Sequence, residues 1–172
     1  MKIAYTIAPG RGATDQLLFT LAQDLAALGY RTCGTVQINT DRGDHPCDMD
    51  VQVLPDGPVL RISQSLGSEA KGCRLDPAML ETAVGLAEAE LEKAPELLIV
   101  NKFGKHEADG RGFRTVIAAA IAQDIPVLVG VNALNVGAFQ EFVGPDVTEL
   151  APSADVLIGW LQSVLEAKRE VA

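Results

Sequence analysis

Basic residues are outnumbered in this chain, 14 Lys and Arg standing against 23 Asp and Glu for a formal net charge of -9. That balance argues against a sequence-independent grip on nucleic acid, which depends on neutralising phosphates with Lys and Arg. Aromatic residues are also scarce, at 5% of the chain. The three cysteines, Cys33, Cys47 and Cys73, form no CxxC pair, and their odd number argues against a disulfide framework. No apolar run approaches the roughly 20 residues that span a bilayer, and Met1 leads into a strand-like segment without a signal-peptide pattern. A reduced protein of the cytoplasm, with neither a membrane nor a nucleic acid as partner, is the expectation.

What is present suits one globular unit. Hydrophobic residues make up 48% and charged residues 22% of 172, ordinary soluble usage, and the length suffices to close a substantial core. Residues 2–8, KIAYTIA, read as a buried strand, and Leu17, Leu18, Leu21, Leu25 and Leu28 then recur at helical spacing before Gly29. RTCGTVQI, 31–38, reads as a second strand. From 39 to 72 the pattern changes to a polar loop, NTDRGDHPCD, followed by a hairpin around PDG. Asp76 and Pro77 start a helix as cap and first-turn residue. LLIV, 97–100, and PVLVGV, 126–131, are apolar runs of the kind found in central parallel strands, with a helix at about 112–123 between them. A last amphipathic helix follows Ser153. This alternation predicts a doubly wound, mainly parallel α/β sheet in a single domain, 1–172, with a loop and hairpin inserted at about 39–72.

IAPGRGATD, 7–15, joins the first strand to the first helix and resembles a phosphate-binding loop of pattern GxxxxGK[ST]. With Gly12 as its second glycine, Ile7 stands at the first, Ala13 at the lysine and Thr14 at the hydroxyl. Pro9, Gly10 and Gly12 still allow a tight turn whose amides, with the positive end of the helix, suit an anion. Losing the lysine removes charge that phosphoryl transfer needs, unless Arg11 turns inward. The plainer alternative is a turn between strand and helix with no ligand.

Two further stretches carry charge beside predicted helix starts. SLGSEAKGCRLDP holds Ser65, Ser68, Lys71, Cys73 and Arg74 ahead of the Asp76 cap, donors for an anion or else an ordinary surface loop. Positive neighbours and the helix start make Cys73 a candidate reactive thiol, with a buried, inert cysteine as the commoner alternative. NKFGKHEADGRGFR, 101–114, leaves the carboxyl end of a central strand, where open α/β sheets place ligands. Asn101 occupies the place where a nucleotide hydrolase commonly carries a magnesium-binding acid. Glu107 is a candidate to bind a metal or polarise water, and Lys102, Lys105, Arg111 and Arg114 to surround an oxyanion. His45 and Cys47 among Asp44, Asp48 and Asp50 follow no metal-ligand spacing and read as a mobile acidic loop.

CRLDP, 73–77, with NKFGKHEADGRGFR and IPVLVGV, 125–131, resembles a bacterial family catalogued as domain of unknown function 2478. The resemblance implies a divergent relative of small P-loop nucleoside triphosphatases whose genes often lie beside molybdate transport genes. Molybdate is a tetrahedral dianion like sulfate or phosphate, which a cradle of backbone N–H groups suits. The expectation is a cytoplasmic protein binding a small anion, either a nucleotide with magnesium or molybdate, between the 9–14, 65–74 and 101–114 loops. Two alternatives are an active nucleoside triphosphatase, with Glu107 positioning water and another basic residue replacing the lysine, and a homo-oligomeric assembly module whose loops serve subunit contacts.

Overall fold

The computed structural model describes residues 2–65 and 74–171. Seven strands, β1 (Ile3–Thr6), β2 (Thr32–Arg42), β3 (His45–Leu54), β4 (Val59–Arg61), β5 (Leu97–Phe103), β6 (Val127–Val131) and β7 (Thr148–Leu150), form one sheet in the order β4-β3-β2-β5-β6-β1-β7. The pairs β2–β5, β5–β6, β6–β1 and β1–β7 are parallel, while β2–β3 and β3–β4 are antiparallel. The doubly wound, mainly parallel sheet expected from the alternation of apolar strands and amphipathic helices is therefore present.

Side-chain alternation along the strands divides the core into two layers. Ile3, Tyr5, Leu98, Val100, Val127 and Val129 point to the face covered by helices α2 (Pro77–Leu91), α4 (Arg114–Ala122) and α5 (Val136–Val143). Ala4, Leu97, Ile99 and Leu128 point to the opposite face, against α1 (Ala13–Ala27) and α6 (Ala154–Val171). On α1, Leu18, Leu21 and Leu25 are buried at helical spacing, each worth roughly 1.5–3 kcal/mol relative to an exposed side chain. Asp76 caps α2 as expected, its carboxylate accepting from the amides of Ala78 and Met79. Helix α1 carries the chain from β1 to β2 across β6 and β5, so its N-terminus lies over the carboxyl ends of these central strands.

The 39–48 segment differs from the loop expected there. Strand β2 runs on to Arg42 and β3 begins at His45, pairing Asn39 with Met49 and Thr40 with Asp48. This ribbon is solvated, so it lacks the apolar alternation that marks a half-buried strand. Backbone pairing holds it instead, helped by Arg42 and Arg61 beside Asp48 and by the Arg61–Asp50 ion pair. Also unexpected are the one-turn helix α3 (Lys105–Ala108), α5 and β7, which are too short for periodicity to reveal. No helix among the described residues is long and apolar enough to cross a membrane.

Candidate functional site

The loop after β1 is shaped by Gly10 at φ 105° and Gly12 at φ 75°, left-handed conformations that side-chain-bearing residues seldom adopt. Gly12 immediately precedes α1 and offers no side-chain cap, which leaves first-turn amides open to a ligand. Thr14 Oγ1 accepts from the Ala8 amide at 2.9 Å, closing the loop on itself and leaving the hydroxyl proton to donate elsewhere. The loop borders a cavity of about 390 Å³, lined by Ile7 to Gly12, Thr14, Asp15, Asn101, Lys102 and the 130–133 segment. Gly130 admits this close approach, since a Cβ there would collide with the Asn101 carbonyl oxygen and stand 3.0 Å from Thr14 Cγ2.

Beneath the loop lies a buried polar network. Asp15, only 4% exposed, accepts from Asn101 Nδ2 at 2.8 Å through Oδ1, and from Asn39 Nδ2 at 2.7 Å and Gln37 Nε2 at 3.4 Å through Oδ2. Asn101 Oδ1 in turn accepts from the Gln37 amide at 2.9 Å. Three carboxamides thus surround one carboxylate, and no buried side-chain polar atom among the described residues lacks a partner. Lys102 Nζ lies 3.9 Å from Asp15 Oδ1 on a side chain 45% exposed, too far and too solvated to lock the ammonium in place. It remains a cation at the cavity wall.

The third loop is held by its own acid. Glu107, 3% exposed, accepts from the Gly104 amide at 3.0 Å through Oε2 and from the Phe113 amide at 3.3 Å through Oε1. A residue expected to bind metal or polarise water therefore stands as a pin across the 104–113 turn, its carboxylate reaching back to the amide of the residue that caps α3. Glu81 on α2 docks the same loop, accepting from the Gly112 amide at 3.0 Å and meeting His106 Nε2 at 2.9 Å. The His106 hydrogen bond above all, helped by the Gly112 amide and the nearby Arg111 charge, holds the Glu81 carboxyl below its ordinary range. Arg114 faces away, donating to the Glu107 carbonyl and lying 4.2 Å over the Phe142 ring.

The residues expected to close on one anion divide between two places. Pro9, Gly10, Arg11, Gly12, Thr14, Asn101 and Lys102 line the loop cavity, with Ala13 opening the helix behind them. Arg74, Lys105, Glu107 and Arg111 line a neighbouring cavity instead. Ser65 lines neither of them, and Ser68, Lys71 and Cys73 fall outside the described residues. The division follows from β5, whose end separates the α1 side from the α2 side of the sheet. Asp15, Gln37 and Asn39 carried no signal in the sequence, because Asp15 meets Gln37, Asn39 and Asn101 only across separations of 22 to 86 residues.

Comparison with known proteins places these observations. Residues 3–160 match the family model described as protein of unknown function, DUF2478. A molybdenum import ATP-binding protein, ModC 2, of Bradyrhizobium diazoefficiens is 38% identical over 148 residues, 85% of this chain but 16% of that protein's length. The crystal structure of THEP1 from Aquifex aeolicus superimposes with a TM-score of 0.66 at 17% identity, covering 97% of this chain and 98% of the other. The solution structure of a human cancer-related nucleoside triphosphatase gives 0.61 at 16% identity over the whole of both chains. With its family model matched over nearly its full length and its sheet shared with these neighbours, the chain belongs to the DUF2478 family and has the α/β fold of P-loop nucleoside triphosphatases.

Proposed function

We propose that this protein is a cytoplasmic anion-binding protein whose degenerate phosphate loop holds a tetrahedral oxyanion, free or as a nucleotide phosphate, without hydrolysing it. The observation that carries the reading is an exchange of charges between helix and strand. In the template the helix supplies a lysine and the strand end an acid that binds magnesium. Here the helix supplies Ala13 and a buried Asp15, and the strand end supplies Asn101 and Lys102. A cation still faces the loop, now from the neighbouring strand. The carboxylate beneath it is occupied by carboxamide donors and unsuited to holding a metal.

Backbone amides from Gly10 to Thr14, the Thr14 hydroxyl, Arg11 and Lys102 would share the ligand's oxygens. Similarity to a molybdenum import ATP-binding protein supports molybdate as the first free oxyanion to test. Glu107, with both carboxylate oxygens on backbone amides, is a poor candidate to position an attacking water.

Thermal unfolding of the full chain with molybdate, tungstate, sulfate, phosphate, ATP and GTP, each with and without magnesium, tests this directly. A ligand at about 100 times its dissociation constant stabilises the native state by about 2.7 kcal/mol. At least one oxyanion should raise the melting temperature equally in magnesium and in chelator. Absence of a shift with every ligand refutes the binding role, and magnesium-dependent phosphate release refutes the non-hydrolytic one.

A further inference from the structure

The neighbouring cavity, of about 660 Å³, lies on the α2 side of the β5 end, between the β2–β3 strands, α2 and the 104–113 loop. Its size falls within the roughly 300–1,000 Å³ of small-molecule sites. Met49, Val51, Ile62, Leu75, Leu80 and Phe113 make an apolar floor. Among the described residues, four cations line it as well: Arg74, Lys105, Arg111 and the Lys102 shared with the loop cavity. Arg74 is braced by donating Nη1 to the Cys47 carbonyl at 2.8 Å, which leaves the rest of its fork for a ligand. Against them, among the described residues, stand two lining carboxylates, of which Glu107 is taken up by backbone amides and Asp109 is exposed. Thr35, Gln37, Gln64 and Asn101 add neutral hydrogen-bonding groups.

A bare tetrahedral oxyanion has nothing to place against the apolar floor, and a neutral hydrophobe leaves the cations unmatched. We propose that this cavity is a second binding compartment, for an organic anion whose aromatic body rests on the Met49–Phe113 floor and whose phosphate head faces Lys105, Arg111 and Arg74. The compartment stands independently of the loop reading, since among the described residues Asn101 and Lys102 alone line both cavities.

Titration calorimetry of the full chain with naphthyl phosphate and AMP, against inorganic phosphate, tests the assignment. At least one aromatic phosphate should bind about tenfold or more tighter than inorganic phosphate, as a buried ring would add. Met49→Trp, which fills the floor, and the surface pair Lys105→Ala with Arg111→Ala should each weaken that binding about tenfold, while Arg11→Ala in the phosphate loop leaves it unchanged. Should Met49→Trp fail to fold, the surface pair decides. No preference for the aromatic phosphates, or binding lost with Arg11→Ala and kept in the surface pair, overturns the proposal, and the second of these outcomes places the ligand in the phosphate loop.

Discussion

Replacing Asn101 by Asp restores the acid of a nucleotide hydrolase at the strand end, and the geometry around Asp15 makes that restoration costly. Asn101 Nδ2 stands 2.8 Å from Asp15 Oδ1, so the variant sets two carboxylates at hydrogen-bonding distance in a buried position. With both ionised, their repulsion at this distance is about 6 kcal/mol for an effective dielectric of about 20. Protonating one of them near pH 7, from an ordinary carboxyl value of about 3.9, costs about 4 kcal/mol. The smaller cost prevails: the new acid keeps its proton and donates to Asp15, and the variant is about 4 kcal/mol less stable than its parent near pH 7.

The folded variant binds a proton that its unfolded chain has released, so its deficit shrinks by about 1.4 kcal/mol for each unit the pH falls, to about 1.5 kcal/mol near pH 5. The exchange Asp15→Asn with Asn101→Asp returns one carboxylate and one carboxamide to the pair. The carboxamide oxygen introduced at position 15 can still face Asn39 and Gln37, so the double variant should recover most of the loss. Urea unfolding of the parent, both single variants and the double variant at several pH values measures all of this. An Asn101→Asp protein as stable as the parent, or a deficit that does not change with pH, would refute the buried pairing.

Two other perturbations probe groups away from the cavities. Burial above all pushes the Cys33 thiol from 9.0 up to about 12, so in the native protein Cys33 should resist a disulfide reagent at mildly alkaline pH and react only on denaturation. Its contribution to stability is complete below about pH 9 and declines as the pH rises toward 12; labelling of native Cys33 as fast as in the unfolded chain would contradict this burial. The Glu81 carboxyl is held below its ordinary 4.5, so the support it gives the third loop is present above that value and fades as the pH falls through the depressed one. Because its side chain is 48% exposed, solvent screening should keep the loss from Glu81→Gln under about 1 kcal/mol. Amide exchange at Gly112, whose N–H donates to Glu81, is the sensitive readout, and unchanged protection there would refute the docking role.

Much of the fold was legible because its signals are local. The apolar runs of β1, β5 and β6 mark strands buried on both faces, and the spacing of Leu18, Leu21 and Leu25 marks the helix between β1 and β2. The Asp76-Pro77 pair marks the start of α2. The 39–48 ribbon was illegible for the opposite reason, since solvated strands are held by their partners' backbones and not by a pattern of their own. The place of Glu107 was illegible because a carboxylate in a basic loop looks free until the amides of Gly104 and Phe113 are seen upon it.

By itself, the sequence determined that a glycine loop joins a first strand to a first helix, that Ala13 stands where a lysine would, and that Asn101 ends the central strand β5. Such features depend on neighbours in the chain and on the conformations those neighbours permit. Only the tertiary structure decided that Asp15 lies buried among Gln37, Asn39 and Asn101, and that the expected anion ligands fall on two sides of β5. Contacts across many tens of residues are fixed by strand order and by the burial of charge, neither of which leaves a local trace.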